Sequence, residues 1–306
     1  MVATTPTTTV PKKLETLEQY KEFLDKFDTF LLDCDGVLWH GSTLIDGIKD
    51  TLDYLRSQGK NLVFVTNNST KSRSSYVKKF NSLGIDASEK DIFSSAFATA
   101  VYLRNILNFP ADKKVYVVGE SGITDELKAV GIETTGASAD NGKHLEHTDL
   151  GTFEQDDQIG AVVCGFDINV SYYKYAKAYK YLTKEDVHFI LTNNDATFPT
   201  PNGFLPGTGS LVQPLINALD RQPLVMGKPN QPMLDCFFSN YHTDPARTCM
   251  VGDRLDTDID FGLQGGITTL MVQTGVSSEA QAMDPNQPIK PTYIIKSFGE
   301  FIKTRQ

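Results

Sequence analysis

Four segments of this chain place polar residues directly after short apolar runs: Asp33-Cys34-Asp35-Gly36, Thr66-Asn67-Asn68-Ser69, Gly227-Lys228-Pro229, and the stretch GDRLDTD from Gly252 to Asp258. Asp33 and Asp35 are two apart, and residues two apart on an extended chain point the same way. Two carboxylates would then leave the end of a buried strand at close range. Like charges so placed repel and raise a pKa unless a cation intervenes. Asp253 and Asp258 add to the crowding. A hard cation with oxygen ligands resolves it, and Mg2+ uses few carboxylates together with waters and a phosphate. Lys228 brings a fixed positive charge, Thr66 a hydroxyl, and the Asn67 and Asn68 region amide donors near a helix start. All three suit phosphate oxygens. The sum is a site for a phosphoryl group, with a carboxylate placed to attack it.

Singly, each segment has an ordinary structural reading. Asp-Gly after a strand is a turn, Asn-Asn-Ser is a helix cap, and Gly-Lys-Pro is a loop. Their order along the chain, each at the end of an expected strand, points to chemistry, since ligands of an open α/β sheet bind beyond the carboxyl ends of its strands.

The elements that must position these residues follow from the hydrophobic pattern. Strands are expected at Thr29-Leu32, Leu62-Val65, Val115-Val118, Ala161-Cys164, Phe189-Leu191, Leu224-Met226, Thr248-Val251, Thr269-Val272 and Tyr293-Ile295. These brief runs of Val, Ile, Leu and Phe suit strands buried on both faces of a parallel sheet. Between them, Leu17, Tyr20, Leu24 and Phe27 form one helical stripe. Further helices are expected at Ile48-Ser57, Ser72-Leu83, Phe97-Leu107, Asp125-Val130, Tyr172-Thr183, Ser210-Leu219 and Met233-Tyr241. Several stop at a glycine (Gly59, Gly84, Gly131), as a left-handed C-terminal cap prefers. The alternation predicts α/β layers.

A weak internal echo runs through the chain. LVFVTNNST at 62–70 matches FILTNNDAT at 189–197, and VYVVGES at 115–121 matches TCMVGDR at 248–254. Two α/β units, one inserted in the other, would produce this pattern; so would chance likeness between strand-turn segments. The middle, from about Pro110 to Leu219, reads as an inserted domain. Within it Ala137 to Gln158 is a polar, acidic excursion; His144 and His147, three apart, would come together on a helix, but a solvated loop is the expected reading.

Bulk properties bound the partners. A chain of 306 residues suits two domains. The formal net charge of -9 disfavours a polyanion such as nucleic acid, and no basic stripe overrides it. Lys71, Arg73, Lys78 and Lys79 are either a solvated helix face or an attractive patch for a small anion. No apolar run is long enough to span a membrane. Cys34, Cys164, Cys236 and Cys249 lie far apart without C-x-x-C spacing, which fits a reducing, cytoplasmic setting. The Thr/Pro-rich start, MVATTPTTTVPK, reads as a disordered tail rather than a transit peptide, for no Arg precedes Arg56.

The four segments together resemble the haloacid dehalogenase superfamily of phosphatases. DCDGVLWHG is similar to its first motif, VTNNS to its second, MGKP to its third and VGDRLDTDI to its fourth. DGVLW, TNNST, PGTGS at 206–210 and DPARTCMVGDRLDTDI at 244–259 resemble the branch called 4-nitrophenylphosphatase or phosphoglycolate phosphatase, which also includes pyridoxal phosphate phosphatase. The resemblance implies a Rossmann-like parallel-sheet core at 14–109 and 222–306, an inserted α/β cap at 110–221 and a tail at 1–13. It implies that Asp33 is the nucleophile and Asp35 the acid and base. Mg2+ would sit on Asp33, the backbone carbonyl of Asp35 and Asp253, with Asp258 holding one of its waters. Thr66, Asn67, Asn68 and Lys228 would bind the phosphate. A cap of this kind limits access to small phosphorylated metabolites and suggests a homodimer through the cap. TNNDATFP at 193–199 resembles the cap's substrate-facing loop. The pyridoxal phosphate enzymes carry His where this chain has Phe198, which tilts the expected substrate toward small phosphorylated acids such as 2-phosphoglycolate, with 4-nitrophenyl phosphate also accepted. Gly119-Glu120 mimics the fourth motif without its Asp pair and is assigned to cap structure. Gly207-Thr208-Gly209-Ser210 is expected to cap a helix starting near Ser210. The rivals are a phosphotransferase or mutase using the same aspartate, and a non-catalytic binding protein on the same scaffold.

Overall fold

A computed structural model of the chain describes residues 10–151, 155–200 and 203–305. The chain opens with β1 (Lys12–Lys13), α1 (Leu17–Lys26), β2 (Thr29–Leu32), the hairpin β3 (Trp39–His40) and β4 (Thr43–Leu44), α2 (Ile48–Ser57), β5 (Asn61–Thr66), α3 (Arg73–Ser82), β6 (Ile92–Ser94) and α4 (Ser95–Val101). It continues through β7 (Lys114–Val118), α5 (Ser121–Ala129), β8 (Glu133–Gly136), β9 (Ile159–Cys164), α6 (Tyr172–Leu182), β10 (His188–Leu191), the hairpin β11 (Thr197–Thr200) and β12 (Gly203–Pro206), and α7 (Thr208–Leu219). It closes with β13 (Leu224–Val225), α8 (Gln231–Asn240), β14 (Thr248–Gly252), α9 (Asp260–Gln264), β15 (Thr268–Val272), α10 (Glu279–Met283) and β16 (Tyr293–Ile295).

Two compact units form. One takes in the described chain up to Val65, Lys79–Ile92 and everything from Phe238 onward; the other takes in Thr66–Lys78 and Phe93–Phe237. The first unit is built on the parallel strands β1-β16-β15-β14-β2-β5, in that order. Every residue of β2 and β14 is buried, as strands covered on both faces require. These two strands are neighbours in register, Leu32 opposite Val251. Asp33 and Asp253 follow them at the same carboxyl edge. Helix α1 is closed by a capping box between Thr16 and Gln19. It buries Tyr20, Phe23 and Leu24, and Phe23 stacks on Phe301. Leu17, expected in that stripe, is exposed because the helix presents Phe23 instead.

The second unit holds an all-parallel five-stranded sheet of order β13-β10-β9-β7-β8. Its core joins Tyr116, Val162, Cys164, Phe189 and Leu191 to Tyr181 of α6 and Leu215 of α7. The internal echo coincides with topology. In the first sheet β2 lies between β14 and β5, and in the second β9 lies between β7 and β10. The echoed segments, β14 with β7 and β5 with β10, therefore flank the central strand in the same order. This favours two α/β units over chance likeness.

Gly59, Gly84 and Gly131 all take left-handed backbone, with φ of 74°, 73° and 78°, at the three expected helix ends. The structure also differs from the sequence reading. The expected tail at 1–13 falls largely on residues outside the described ones, but Lys12 and Lys13 pair with β16 as an edge strand. The helix expected at Phe97-Leu107 is α from Ser95 to Val101 and π-type from Tyr102 to Ile106. Helix α7 begins at Thr208, so Ser210 lies inside it, its hydroxyl donating to the Ala196 carbonyl.

Candidate active site

At the carboxyl edge of the first sheet, Asp33, Asp253 and Asp258 each offer a carboxylate oxygen within 4.8 Å of the others. Asp253 and Asp258 are 2% and 1% exposed, and Asp33 is half-buried. Asp33 continues β2, its N–H donating to the Val251 carbonyl of β14. Asp253 follows β14 directly, and its Oδ2 accepts from the Val276 N–H at 2.7 Å. Asp258 sits on a π-type turn, Leu255–Ile259. Its Oδ2 accepts from the N–H groups of Asp253 and Arg254 at 3.2 and 3.1 Å, so it ties the turn after β14 to the cluster. The nearby Asp256 is exposed and paired with the Arg254 guanidinium, which holds its carboxyl below the usual range.

The backbone makes room for these charges. Gly36 has φ +87°, and a Cβ there would meet Asp253 Oδ2 at 2.6 Å. Gly275 approaches the same carboxylate from another side, and a Cβ on it would also clash. Only glycine fits where two loops close on one buried carboxylate. Three oxygen donors gathered this tightly fit a hard divalent ion.

Asp35 is not a side-chain member of this cluster. The chain turns after Asp33 instead of running on extended, with the N–H of Leu38 donating to the Cys34 carbonyl at 2.9 Å. Asp35 Oδ1 accepts from Trp39 Nε1 at 2.9 Å. Asp33 and Asp35 thus both stand at the end of β2, Asp33 in the acidic cluster and Asp35 on the turn beside Trp39.

The second unit holds its own polar node. Lys228 is 3% exposed. Asn67 pairs with its main chain as a peptide would: Oδ1 accepts from the Lys228 N–H at 2.7 Å, and Nδ2 donates to the Lys228 carbonyl at 3.0 Å. Asn67 Nδ2 also donates to Asp195 Oδ2 at 2.9 Å, which accepts from Asn193 Nδ2 at 2.6 Å. Asn67 and Asn193 are the matching asparagines of the internal echo, and they converge on one carboxylate. Thr66 is buried at the end of β5, and its hydroxyl oxygen accepts from the Asn68 N–H at 3.2 Å. Asn68 Oδ1 accepts from the N–H and hydroxyl of Thr70. The side chains of Asn67 and Asn68 are thus occupied in shaping the loop, and helix α3 begins only at Arg73.

Other singled-out residues resolve plainly. Phe198 on β11 stacks on Phe166, ring centroids 4.4 Å apart. His144 and His147 are exposed, His147 opening a single 3-10 turn. Glu120 precedes α5 and accepts from the Ile168 N–H, a role internal to the second unit. The basic cluster is neither purely solvated nor a single patch. Arg73 pairs with buried Glu126 and lies 3.5 Å from the Phe97 ring, while Lys79 lies over Trp39. Sequence reasoning missed Trp39 and Asp195. Trp39 stands within the first motif, four residues after Asp35, and Asp195 directly follows the echoed asparagines. Those positions were the available signals. Among the described residues no helix is long and apolar enough to cross a membrane.

A family model described as haloacid dehalogenase-like hydrolase matches residues 30–133, and one described as HAD-hydrolase-like matches 225–301. The chain is 45% identical to the 4-nitrophenylphosphatase of Schizosaccharomyces pombe, across 96% of this chain and 99% of that one. It is 46% identical to phosphoglycolate phosphatase 2 of Arabidopsis thaliana, across 93% of this chain and 95% of the relative. Among solved structures it is similar to the glycerol phosphate phosphatase of Mycobacterium tuberculosis in complex with magnesium. That likeness has a TM-score of 0.75 and 28% identity, covering 91% of this chain and 77% of that one.

Proposed function

This chain belongs to the haloacid dehalogenase-like hydrolase family, as one of its phosphatases, and on that premise we propose that it hydrolyses small phosphate monoesters through a phospho-aspartate on Asp33, with Mg2+ as cofactor. The observation that carries the reading is the cluster of Asp33, Asp253 and Asp258 within 4.8 Å, two of them buried. Asp33, Asp253 and the main-chain carbonyl of Asp35 would hold the ion, and Asp258 a water on it. Bound there, the ion supplies the positive charge that lets a carboxylate and a phosphate share one site.

The chain's own residues perform the transfer. A carboxylate oxygen of Asp33 bonds to phosphorus as the bond to the ester oxygen breaks. The ester oxygen keeps the electron pair and takes a proton from Asp35. Asp35, then a carboxylate, takes a proton from a water whose oxygen attacks phosphorus, releasing phosphate and restoring Asp33. The Lys228 ammonium, the Thr66 hydroxyl and the Asn67 main-chain N–H bind the equatorial oxygens, while the Asn67 and Asn68 side chains hold the loop that presents them. Phosphoryl transfer is mostly positioning and charge stabilisation, so these residues matter as much as the nucleophile.

The substrate class is a small phosphorylated acid such as 2-phosphoglycolate, with 4-nitrophenyl phosphate also accepted. The names of the relatives support both. Phe198, where the pyridoxal phosphate enzymes carry His, tilts the reading toward the first and away from a vitamin phosphate. The proposal extends to a core of 14–109 and 222–306, a cap of 110–221, self-association through that cap and a cytoplasmic location. The last rests on four cysteines outside any disulfide.

Replacing Asp33 with Asn tests the central claim. Phosphate release from 4-nitrophenyl phosphate should vanish while the circular dichroism spectrum is unchanged, and acid-quenched wild type should retain a hydroxylamine-sensitive phosphate that the variant lacks. Appreciable turnover by the variant would remove Asp33 as nucleophile.

A further inference from the structure

Trp39 is the only tryptophan in the chain and is fully buried, 0% exposed. Its indole N–H donates to Asp35 Oδ1 at 2.9 Å. The ring has little freedom to leave that contact. The Trp39 carbonyl accepts from the Gly36 N–H at 2.9 Å, and its N–H donates to the Cys34 carbonyl at 3.3 Å, so Trp39 closes the very turn that carries Asp35. Phe80 meets the indole edge-on with centroids 5.1 Å apart. Lys79 Nζ lies 3.9 Å from the ring centroid. A cation over an indole face is bound by the ring quadrupole, and by polarising the ring it makes the N–H a stronger donor.

An indole N–H can only donate. It therefore uses Asp35 Oδ1 as an acceptor, and because an unprotonated carboxyl oxygen is the better acceptor, the bond favours Oδ2 as the place for the proton Asp35 carries. A carboxyl group without this bond is able to turn about its Cβ–Cγ bond and offer either oxygen. We propose that Trp39 is a positioning residue for proton transfer by Asp35, fixing the carboxyl so that Oδ2 faces the departing ester oxygen. This rests on the role given to Asp35 above.

The consequence is selective. When the phosphorus–oxygen bond breaks, its electron pair goes to the ester oxygen. An alkyl ester needs the Asp35 proton at that moment, whereas 4-nitrophenolate departs as the anion. Loss of the indole N–H should slow alkyl phosphates and spare the aryl one. A structural role alone would slow both alike.

The test compares kcat/KM, which covers transfer onto Asp33, for 4-nitrophenyl phosphate and for 2-phosphoglycolate or glycerol 3-phosphate, whichever alkyl ester the wild type hydrolyses faster. Trp39→Phe should lose about 10- to 100-fold on the alkyl ester and less than about threefold on the aryl one. Asp35→Asn should discriminate in the same direction and more strongly. If Asp35→Asn discriminates while Trp39→Phe slows both esters equally or neither, the Trp39 proposal is overturned and the Asp35 reading stands. If Asp35→Asn itself does not discriminate, the acid assignment fails and this proposal with it. Phe is smaller than the indole, so the comparison is repeated with the benzothiophene analogue of tryptophan, which keeps the ring's size and lacks the N–H. Global incorporation changes one position, because the chain has one tryptophan.

Discussion

Asn67 uses its carboxamide as a second peptide group. Both of its functions face the Lys228 main chain, and its Nδ2 also reaches Asp195. An asparagine in this position reads from sequence as a phosphate donor, yet its side chain holds the residue that would bind phosphate. Replacing Asn67 with Asp removes both Nδ2 bonds and sets a carboxylate against Asp195. A hydrogen bond to a charged group contributes about 1.5–3 kcal/mol, so kcat/KM for 4-nitrophenyl phosphate should fall about 10- to 100-fold with the spectrum of the fold unchanged. Adding Asp195→Asn to that variant removes the repulsion and restores a donor, and about tenfold of the loss should return. Such non-additivity marks residues of one network. Losses that simply add in the double variant would show that Asp195 does not act through Asn67.

Among the elements, the loop from Ala137 to Asn141 shows what sequence patterning conveys and what it does not. The stretch reads as a polar excursion, but Asp140 is buried, accepting from the Tyr116 hydroxyl and paired with Lys143 and Lys177. Next to it, Asn141 Oδ1 accepts from Lys174 Nζ, which is 0% exposed and paired with buried Asp167. Two lysines one turn apart on α6 thus strap the loop down. Their partners stand far off in the chain, and charge spacing carries no record of that. The parallel strands were legible because an all-buried run such as β9 leaves no polar alternation to confuse. The edge strand β8 (ETTG) and the exposed hairpin strand β12 were not, because neither buries an apolar face. At the site, carboxylates adjoining legible strands were found, and contacts made across a turn, such as Trp39 to Asp35, were not. The strap also sets a pH dependence. Burial pushes the Asp140 carboxyl up, but hydrogen bonds from Lys143, Tyr116 and Lys177 outweigh it, leaving the carboxyl below the ordinary range. A carboxyl so depressed stabilises the fold above its unfolded pKa and loses that contribution as pH falls through its folded value. Melting temperature should therefore drop from about pH 4 downward. Asp140→Asn should flatten that limb while costing about 1–3 kcal/mol at neutral pH. An equally steep acid limb in the variant would remove Asp140 as its source.

At the scale of the whole molecule, two parallel sheets share one strand order and differ in what stands at the end of the central strand. After β2 comes Asp33; in the same place after β9 comes Gly165, and Asp167 two residues on is neutralised by Lys174. Among the described residues the group of acids close enough to share an ion is Asp33, Asp253 and Asp258, in a chain whose net charge is already -9. Two carboxylates at about 4 Å repel by about 4 kcal/mol at an effective dielectric of about 20, so the cluster costs stability until a cation joins it. The signs follow. Mg2+ at about 100 times its dissociation constant should stabilise the wild type by about 2.7 kcal/mol, read as a rise in melting temperature that sodium chloride of equal ionic strength does not reproduce. Asp253→Asn keeps an oxygen for the Val276 N–H and removes one charge. In EDTA it should melt at or above the wild type, and its response to Mg2+ should be largely lost. Identical Mg2+ responses in the two proteins would mean that the cluster is not where the ion binds, and the assignment of Asp33 and Asp253 as its ligands would fall on stability alone, independently of any activity measurement.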